Sequence, residues 1–397
     1  MDLKAVSAPP DFDPEAVTPP GRPVGPWDVV SLALDVSGSC NLACRYCAEG
    51  LTQPRRPPMT DEVLDAAWRF LAPGGTPPKP CSVRLGSGEP LLNLPLLQRL
   101  TWIVEHGAAD APALFLTTNG TLLSPRVCEW LAETGWHVKV SLDGPAAVHD
   151  LWRVTPTGEG TYHRLVGPVR QLAQQLGDRF SVTAVLCRGA DPGGVFAAIA
   201  DLGVRRIELV PVAAADPAIL PDWRDLQRYR RFLDEHVGRL LEEGGAPPPT
   251  LIRLQDRIRA AMGLANSYVG CAAGRAFLGV GPGGELYPCF RFIGLEPYRL
   301  GSLETGLDTE AVAAFASRAG RPWDERSACQ ACWAAPLCGG PCFAVAECFG
   351  PGDGEPLGLH CDYVRADSWA AVRVVQELQH AHPERLLAFL PVAPGLE

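Results

Sequence analysis

The sequence predicts an α/β protein built around a parallel sheet. From residue 31 onward, short apolar runs alternate with longer segments whose apolar residues recur at helical spacing. Strands that alternate with helices in this way indicate parallel βαβ units. The strand runs are mostly apolar, which is typical of a sheet that is buried on both faces.

Six runs are predicted strands, and the helical patterns lie between and after them. The runs are SLALDVSG (31–38), SVRLGSG (82–88), ALFLTTN (113–119), HVKVSLDG (137–144), SVTAVLCR (181–188) and RRIELVPV (205–212). The helical patterns are at 60–72, 94–107, 125–135, 162–177 and 222–243. The first four runs end in polar loops. Because the carboxyl ends of parallel strands share one edge, we expect these four loops to share one face.

The chain has 397 residues, enough for two domains or for one large barrel with an appendage. Composition shifts divide it into five predicted segments. These are a Pro-rich N-terminal arm (1–30), a barrel (31–243), a linker (244–265), a cysteine-rich domain (266–365), and a C-terminal helix with a tail (366–397).

Charge and hydropathy exclude two classes of partner. The net charge is −10 and no block of lysine and arginine stands out, so we do not expect nucleic acid binding. The N-terminus has no apolar signal region, and no stretch of about 18 uncharged apolar residues occurs, so we do not expect a membrane partner. We therefore expect a cytoplasmic protein whose thiols stay reduced.

Fourteen cysteines in a reducing compartment point to metal or cluster binding. Three of them, Cys81, Cys128 and Cys187, are scattered singly in apolar segments, and we expect them to be inert core thiols.

Three further cysteines lie in CNLACRYC (40–47), at C-x3-C-x2-C spacing. Three thiolates can hold three irons of a 4Fe–4S cube and leave the fourth iron open, as a catalytic metal site requires. The alternative, a zinc knuckle, needs a fourth ligand nearby. No cysteine or histidine follows before Cys81 and His106.

This spacing after the first strand, with Tyr46 before the last cysteine, resembles the radical S-adenosylmethionine (SAM) superfamily. The resemblance implies a partial (β/α)6 TIM-like barrel, with Cys40, Cys44 and Cys47 holding a 4Fe–4S cluster. It also implies that SAM chelates the open iron and is cleaved to methionine and a 5′-deoxyadenosyl radical. That radical abstracts a hydrogen from an unactivated C–H bond.

The other strand-end loops resemble the family's SAM-binding loops. GSGEP (86–90) is similar to the family's GGEP motif, and TTNG (117–120) and SLDG (141–144) are similar to loops that line the ribose and carboxylate. The resemblance implies SAM contacts from eleven residues: Tyr46, Gly86, Ser87, Gly88, Glu89, Pro90, Thr118, Asn119, Ser141, Asp143 and Arg153.

Three of these residues have specific expected roles. Glu89 would accept hydrogen bonds from the SAM ammonium, which is a charge-assisted contact. Tyr46 would offer its backbone carbonyl to the adenine. Arg153 would pair with the SAM carboxylate, with an ordinary surface arginine as the alternative.

The C-terminal cysteines resemble the SPASM extension of radical SAM enzymes. Seven of them match in order, together with Gly284 between the first two. The resemblance implies two auxiliary 4Fe–4S clusters. The predicted inner ligands are Cys271, Cys289 and Cys342, and the predicted outer ligands are Cys329, Cys332, Cys338 and Cys361.

The inner cluster lacks a fourth cysteine in this pattern. Cys348 is a candidate for the fourth ligand. In the alternative, the fourth iron is open and binds a substrate thiolate, and Cys348 is a free core thiol. A zinc ribbon is the alternative for the whole region.

SPASM enzymes mostly modify peptides or proteins. We therefore expect an oxidoreductase-type maturase that installs a thioether, ether or carbon–carbon crosslink in a ribosomally synthesised peptide. The alternatives are an anaerobic sulfatase maturase, which forms formylglycine, and a small-molecule dehydrogenase. SLDGPAAVHDLWR (141–153) resembles the sulfatase group. Against it, the aspartate that follows the equivalent of Cys289 in that group is here Phe290, followed by Arg291.

Partners follow from the same resemblance. We expect a peptide or protein substrate and a low-potential electron donor of the flavodoxin or ferredoxin type. Residues 1–30 are too short for a leader-binding winged helix, so a separate leader-binding protein is one expectation and direct docking on the barrel is the other. No catalytic base is predicted, although Glu208 and Arg291 are candidates to face the substrate. A non-enzymatic electron carrier or zinc scaffold would not need an open three-cysteine site.

Overall fold

The structure is a computed structural model that describes residues 9, 29–47, 55–78, 81–107, 111–242, 247–264, 271–351 and 355–389. Most of the predicted N-terminal arm and the end of the predicted tail lie outside the described residues.

The described strands form one sheet of eleven, in the order β11-β10-β9-β8-β1-β2-β3-β4-β5-β6-β7. The first seven strands pair in parallel from β1 to β7. They are β1 (Ser31–Leu34), β2 (Ser82–Leu85), β3 (Ala113–Thr118), β4 (His137–Ser141), β5 (Phe180–Leu186), β6 (Arg206–Pro211) and β7 (Thr250–Leu251). The six predicted strands and the parallel sheet are confirmed, and the structure adds β7 within the predicted linker.

The cysteine-rich region continues the same sheet. Strand β8 (Phe277–Val280) pairs in parallel with β1, with Phe277 beside Ser31. Three short strands then extend the edge in antiparallel fashion, namely β9 (Glu285–Tyr287), β10 (Gly301–Ser302) and β11 (Gly306–Leu307). Strand β8 therefore lies directly beside the strand that leads to the three-cysteine loop, and β9, which precedes Cys289, lies one strand farther out.

The described part of the chain contains thirteen α-helices. Those of the barrel are α1 (Asp61–Leu71), α2 (Leu94–Gly107), α3 (Pro125–Glu133), α4 (Ala146–Trp152), α5 (Tyr162–Leu176), α6 (Pro192–Ala200) and α7 (Trp223–Leu241). The later ones are α8 (Ile252–Ala261), α9 (Thr309–Ala319), α10 (Ser327–Gln330), α11 (Ala335–Cys338), α12 (Phe343–Phe349) and α13 (Gly358–Ala381). None of the helices described here is long and apolar enough to cross a membrane.

Local signals explain where several helices begin. The Ser124 hydroxyl accepts from the backbone N–H of Val127, and Pro125 occupies the first turn of α3. Asp222 and Asp225 form a reciprocal capping box at the start of α7. The predicted helical patterns at 60–72, 94–107, 125–135, 162–177 and 222–243 are all confirmed, with small differences at their ends.

The apolar faces of the helices pack on the sheet in one main core. Trp136 is fully buried there, and its indole N–H donates to the Thr101 hydroxyl at 2.9 Å. Cys128 and Cys187 are buried among apolar side chains, and Cys81 packs against the main core. Each of these three thiols therefore lies where a core residue is expected.

Helix α13 ties the C-terminal region to the barrel. It runs from residue 358 to 381, so the boundary predicted at 365/366 falls inside it. Fully buried Asp367 in α13 accepts from the Tyr229 hydroxyl of α7 at 2.6 Å. The same carboxylate accepts from the Arg253 guanidinium of α8 at 2.6 and 2.9 Å. One carboxylate thus holds three helices together.

Replacing Asp367 with alanine should strongly destabilise the protein. The change leaves the Arg253 charge uncompensated and the buried Tyr229 hydroxyl without its acceptor, which together cost about 3–5 kcal/mol. The midpoint of urea denaturation of the anaerobically purified protein measures this. Asp234→Ala, at an exposed position of the same helix as Tyr229, is the control and should change stability by less than about 0.5 kcal/mol. Equal midpoints for the two variants would contradict the role assigned to Asp367.

Candidate active site

The three-cysteine loop follows β1 and is fastened to the segment after α4. The backbone N–H of Ala43 donates to the Val154 carbonyl at 2.8 Å, and that of Arg45 donates to the Trp152 carbonyl at 2.9 Å. Within the loop, the N–H of Cys47 donates to the Cys44 carbonyl at 3.0 Å. These backbone hydrogen bonds anchor the loop to the barrel.

The three thiols of this loop lie close enough to affect one another. Burial raises the pKa of Cys40 to about 11 and that of Cys44 to about 12, and the neighbouring thiols of the loop add to both shifts. Iron or another cation bound here must displace these protons.

The donor set fits a cluster better than zinc. Among the described residues, no group of three or more His, Cys, Asp or Glu side chains converges closely enough to hold one metal ion. A structural zinc site needs four donors around a single point at about 2.0–2.3 Å. A 4Fe–4S cluster instead spreads its thiolate ligands over separate irons. The three thiols of the loop can each bind a separate iron of such a cluster, and the fourth iron is then left open.

Glycine is required where the GSGEP loop approaches the cysteine loop. Gly88 has a φ of +58°, and a Cβ at this position would lie 2.2 Å from the Ser39 carbonyl oxygen. The next residue, Glu89, donates its backbone N–H to the same carbonyl at 2.9 Å. The two loops are therefore in direct backbone contact just before Cys40.

The Glu89 carboxylate is fully buried and has partners within the protein. It accepts from the Thr118 hydroxyl at 2.7 Å, the Asn119 N–H at 2.7 Å and the Leu91 N–H at 3.1 Å. Burial raises its pKa to about 7, although these three donors oppose the shift. Glu89 thus joins the second and third strand-end loops, and its predicted contact with the SAM ammonium is not needed to explain its position.

Asp143 is the buried carboxylate that joins the fourth strand-end loop to its neighbours, as Glu89 does for the second and third. This fully buried carboxylate accepts from the Tyr46 hydroxyl, from Arg153 Nε at 3.0 Å and from the Val185 N–H at 3.0 Å. Arg153 is buried too, with its guanidinium 5.4 Å from the centre of the Tyr46 ring. The surface alternative for Arg153 is therefore wrong, and the Tyr46 side chain links the cysteine loop to β4.

His149 is a residue of this site that the sequence analysis did not single out. Its Nδ1 accepts from the Asp143 backbone N–H at 3.2 Å, and burial lowers its pKa to about 4, so the ring is neutral. Its Nε2 then donates to the Thr161 hydroxyl at 3.0 Å, which donates to the Arg153 carbonyl at 3.0 Å. His149 lies within SLDGPAAVHDLWR, but nothing in that motif indicates this chain of hydrogen bonds.

Asn119 connects the third strand-end loop to the first cysteine. Its amide Nδ2 lies 3.7 Å from Cys40 Sγ and 2.8 Å from Asn41 Oδ1. Its Oδ1 accepts from the Thr121 hydroxyl at 2.7 Å. These contacts orient the amide towards the thiol, where it would donate to a cluster ligand.

A cavity of about 580 Å³ opens at this edge of the sheet, within the usual range of ligand pockets. Seven of the eleven predicted SAM-contact residues line it: Tyr46, Gly86, Gly88, Thr118, Asn119, Ser141 and Arg153. Four do not line it and are buried behind the wall: Ser87, Glu89, Pro90 and Asp143. Glu208 does not line it either and pairs with Lys139 at 2.8 Å.

The same cavity extends to the C-terminal cysteines. Cys329, Cys332, Cys338 and Cys361 influence one another electrostatically and all line the cavity. Cys271, Cys289 and Cys342 form a second such group, of which Cys342 faces the cavity. Cys348 in α12 is exposed and lies near Cys342. These are the groupings expected from the sequence, while ligation itself stays a prediction.

Residues 34–165 match the family model described as "Radical SAM superfamily". The "Serine-type anaerobic sulfatase-maturating enzyme" of Klebsiella aerogenes is 24% identical over 330 residues, which cover 81% of each chain. The expected radical SAM resemblance is confirmed by the family model.

Solved structures share the fold along most of the chain. The structure "Native anSMEcpe with bound AdoMet" has a TM-score of 0.75 at 20% identity and covers 88% of this chain and 99% of that one. The same protein has been solved with AdoMet and Cp18Cys peptide. Streptococcus suis SuiB bound to precursor peptide SuiA has a TM-score of 0.56 at 18% identity, covering 80% of this chain and 72% of that one. The predicted partial TIM-like barrel with a cysteine-rich C-terminal region is confirmed.

Replacing Gly88 with alanine should separate the two loops that meet at Ser39 and weaken SAM binding by about tenfold or more. Gly74→Ala is the matched control, because Gly74 also has a positive φ (+81°) but has no atom within 4 Å of an added Cβ. Both variants introduce similar backbone strain, so only the collision differs. Equilibrium binding of SAM to the anaerobically reconstituted proteins measures the effect, and equal affinities for the two variants would refute it.

Proposed function

We propose that this chain is an enzyme that uses SAM to modify a side chain of a peptide or protein, because residues 34–165 match the radical SAM family model. The observation that carries the proposal is the single cavity bordered by the three-cysteine loop, the polar strand-end loops and the C-terminal cysteines. A binding protein or an electron carrier has no need for such a cavity beside an incomplete ligand set.

Cys40, Cys44 and Cys47 would hold the catalytic cluster. When bound, the reduced cluster supplies the electron that splits SAM into methionine and a 5′-deoxyadenosyl radical, which takes a hydrogen atom from the substrate. The Asn119 amide would donate to the Cys40 sulfur and so tune the reduction potential, since hydrogen bonds to the sulfurs are one of its determinants.

The chain's own residues would orient SAM before it reacts. Arg153 lines the cavity and is fixed by Asp143, Tyr46 and the His149–Thr161 hydrogen bonds, so it presents a cation in one place. A pre-positioned cation binds a carboxylate without the entropic cost of ordering a mobile side chain. Ser141, Thr118 and the backbone at Gly86 and Gly88 supply polar groups on the same wall.

The C-terminal cysteines would hold two auxiliary clusters. We propose Cys271, Cys289 and Cys342 for the inner one and Cys329, Cys332, Cys338 and Cys361 for the outer one. Their thiols already lie together in these two groups. Arg365, beside Cys332, would compensate part of the added negative charge. Cys348 and a substrate thiolate remain the two candidates for the fourth inner position.

Two kinds of product are consistent with this cavity. The predicted crosslink in a ribosomally made peptide is one, and SuiB, which was solved with its precursor peptide SuiA, shares the fold. Formylglycine formation is the other, favoured by the sulfatase-maturating relative that spans 81% of the chain. Phe290 counts against formylglycine formation, because it lines the cavity where those enzymes are expected to have a carboxylate. A flavodoxin- or ferredoxin-type electron donor is a further proposed partner, and the peptide either arrives with a separate leader-binding protein or docks directly on the barrel.

Replacing Cys40, Cys44 and Cys47 together with alanine should abolish SAM cleavage and lower the iron content by about four atoms per chain. The auxiliary iron should remain, because the other seven predicted ligands are unchanged. Anaerobic incubation with SAM and dithionite, followed by chromatography for 5′-deoxyadenosine and by iron and sulfide analysis, measures both quantities.

The control is the change of the two thiols of the main core, Cys81 and Cys128, to alanine; Cys187 is left in place because it packs in a cluster with Tyr46 and Cys44. It should retain both 5′-deoxyadenosine formation and iron. Formation of 5′-deoxyadenosine by the variant that lacks Cys40, Cys44 and Cys47 would refute the proposed function.

A further inference from the structure

The cavity wall is strongly basic although the chain as a whole carries a net charge of −10. Five arginines line the cavity: Arg153, Arg253, Arg257, Arg291 and Arg365. Among the described residues that line it, there is no aspartate or glutamate. A cavity wall whose charged side chains are all positive attracts anions from solution.

Four of the five arginines are held by acceptors within the protein. Arg153, Arg253 and Arg365 pair with Asp143, Asp367 and Asp362, respectively, and Arg257 donates to the Leu337 carbonyl. Their guanidinium groups are therefore wholly or partly committed to the fold.

Arg291 differs from these four. It is half-buried, and no carboxylate of the described residues pairs with it. Its guanidinium lies 5.3 Å from the centre of the Phe290 ring. A partly desolvated guanidinium that has no carboxylate partner among the described residues retains donors for the carboxylate of a ligand.

Its backbone is fixed next to the predicted SAM site. The Ser87 hydroxyl lies 3.5 Å from the Phe290 carbonyl, so the Phe290–Arg291 segment rests on the GSGEP loop. Gly86 and Gly88 of that loop line the cavity. A group bound by Arg291 would therefore lie near the place where a hydrogen atom must be taken from the substrate.

We propose that Arg291 binds a carboxylate of the substrate and thereby makes the enzyme selective for acidic peptides. This inference rests on the proposed function and adds the chemical class of its substrate. The carboxylate belongs either to an Asp or Glu side chain near the modified residue or to the C-terminus of the peptide. The planar fork of arginine suits both, because it can bind the two carboxylate oxygens at once.

Three short fluorescent peptides of Gly, Ala, Ser and Cys test the proposal against the anaerobically reconstituted protein. The first carries Asp beside the cysteine and an amidated C-terminus. The second carries Asn there and a free C-terminal carboxylate. The third carries Asn and an amidated C-terminus, so that it has no carboxylate. Fluorescence anisotropy in the presence of SAM gives the dissociation constants.

The wild-type protein should bind at least one carboxylate-bearing peptide about tenfold more tightly than the neutral peptide. Arg291→Gln should remove that preference, because it should weaken the binding of the preferred carboxylate-bearing peptide and leave the binding of the neutral peptide unchanged. Whichever peptide is preferred identifies the source of the carboxylate. Arg224→Gln, an exposed change of the same charge outside the cavity, should keep the preference. The proposal is overturned if the wild-type protein binds all three peptides with equal affinity, and also if it binds none of them.

Two parallel measurements separate the other roles that a cavity arginine can have. If Arg291→Gln loses affinity for SAM but keeps the peptide preference, Arg291 serves the SAM carboxylate and the proposal is wrong. If it loses iron and keeps the preference, Arg291 serves a cluster and the proposal is equally wrong. Failure of the proposed function has a different signature, namely no 5′-deoxyadenosine from the wild-type protein whatever its peptide preference.

Discussion

Parallel pairing of β1 through β4 is the constraint on which the whole site depends. Because these strands run in the same direction, the loops that follow them emerge at one edge of the sheet. The three-cysteine loop, GSGEP, TTNG and SLDG are far apart in sequence and adjacent in space for this reason alone. Strand β8 joins β1 in the same direction, β9 runs back antiparallel to β8, and the chain that follows β9 places Phe290 and Arg291 on the cavity wall beside the GSGEP loop. These segments form one side of the cavity, and the segments that carry the C-terminal cysteines form another.

Two buried carboxylates then convert this shared edge into a rigid site. Glu89 joins the second loop to the third, and Asp143 joins the cysteine loop to β4, β5 and Arg153. Each is fully buried and accepts three hydrogen bonds from the protein. Buried carboxylates with this many donors fix the conformation around them, and their loss would leave several donors unpaired. Rigidity of this kind is what a site needs if it is to hold SAM and a substrate in reacting positions.

The sequence was sufficient for the six barrel strands and their helices, because strand and helix periodicity and capping residues are local signals. It also placed Arg153 and Asn119 in the site through motif resemblance. It did not reveal that β8 joins the C-terminal region to the same sheet, because that pairing depends on long-range contact with β1. It could not separate residues that line the cavity from residues that support the wall. Glu89 and Asp143 belong to recognisable motifs, yet their partners come from other loops and depend on how the strands align. His149 has no motif signal, since its role arises from a buried hydrogen-bond chain. That Arg291 has no carboxylate partner among the residues the structure describes is likewise a property of the folded chain.

The central claim is that one cavity serves a radical-generating cluster and two auxiliary clusters. The most direct test is to reconstitute the wild-type protein anaerobically, add SAM and dithionite, and measure iron, sulfide and 5′-deoxyadenosine in the same sample. The account predicts about twelve irons per chain, matching sulfide, and 5′-deoxyadenosine. Zinc without sulfide, and no 5′-deoxyadenosine, would contradict it and would identify the cysteines as a structural zinc scaffold.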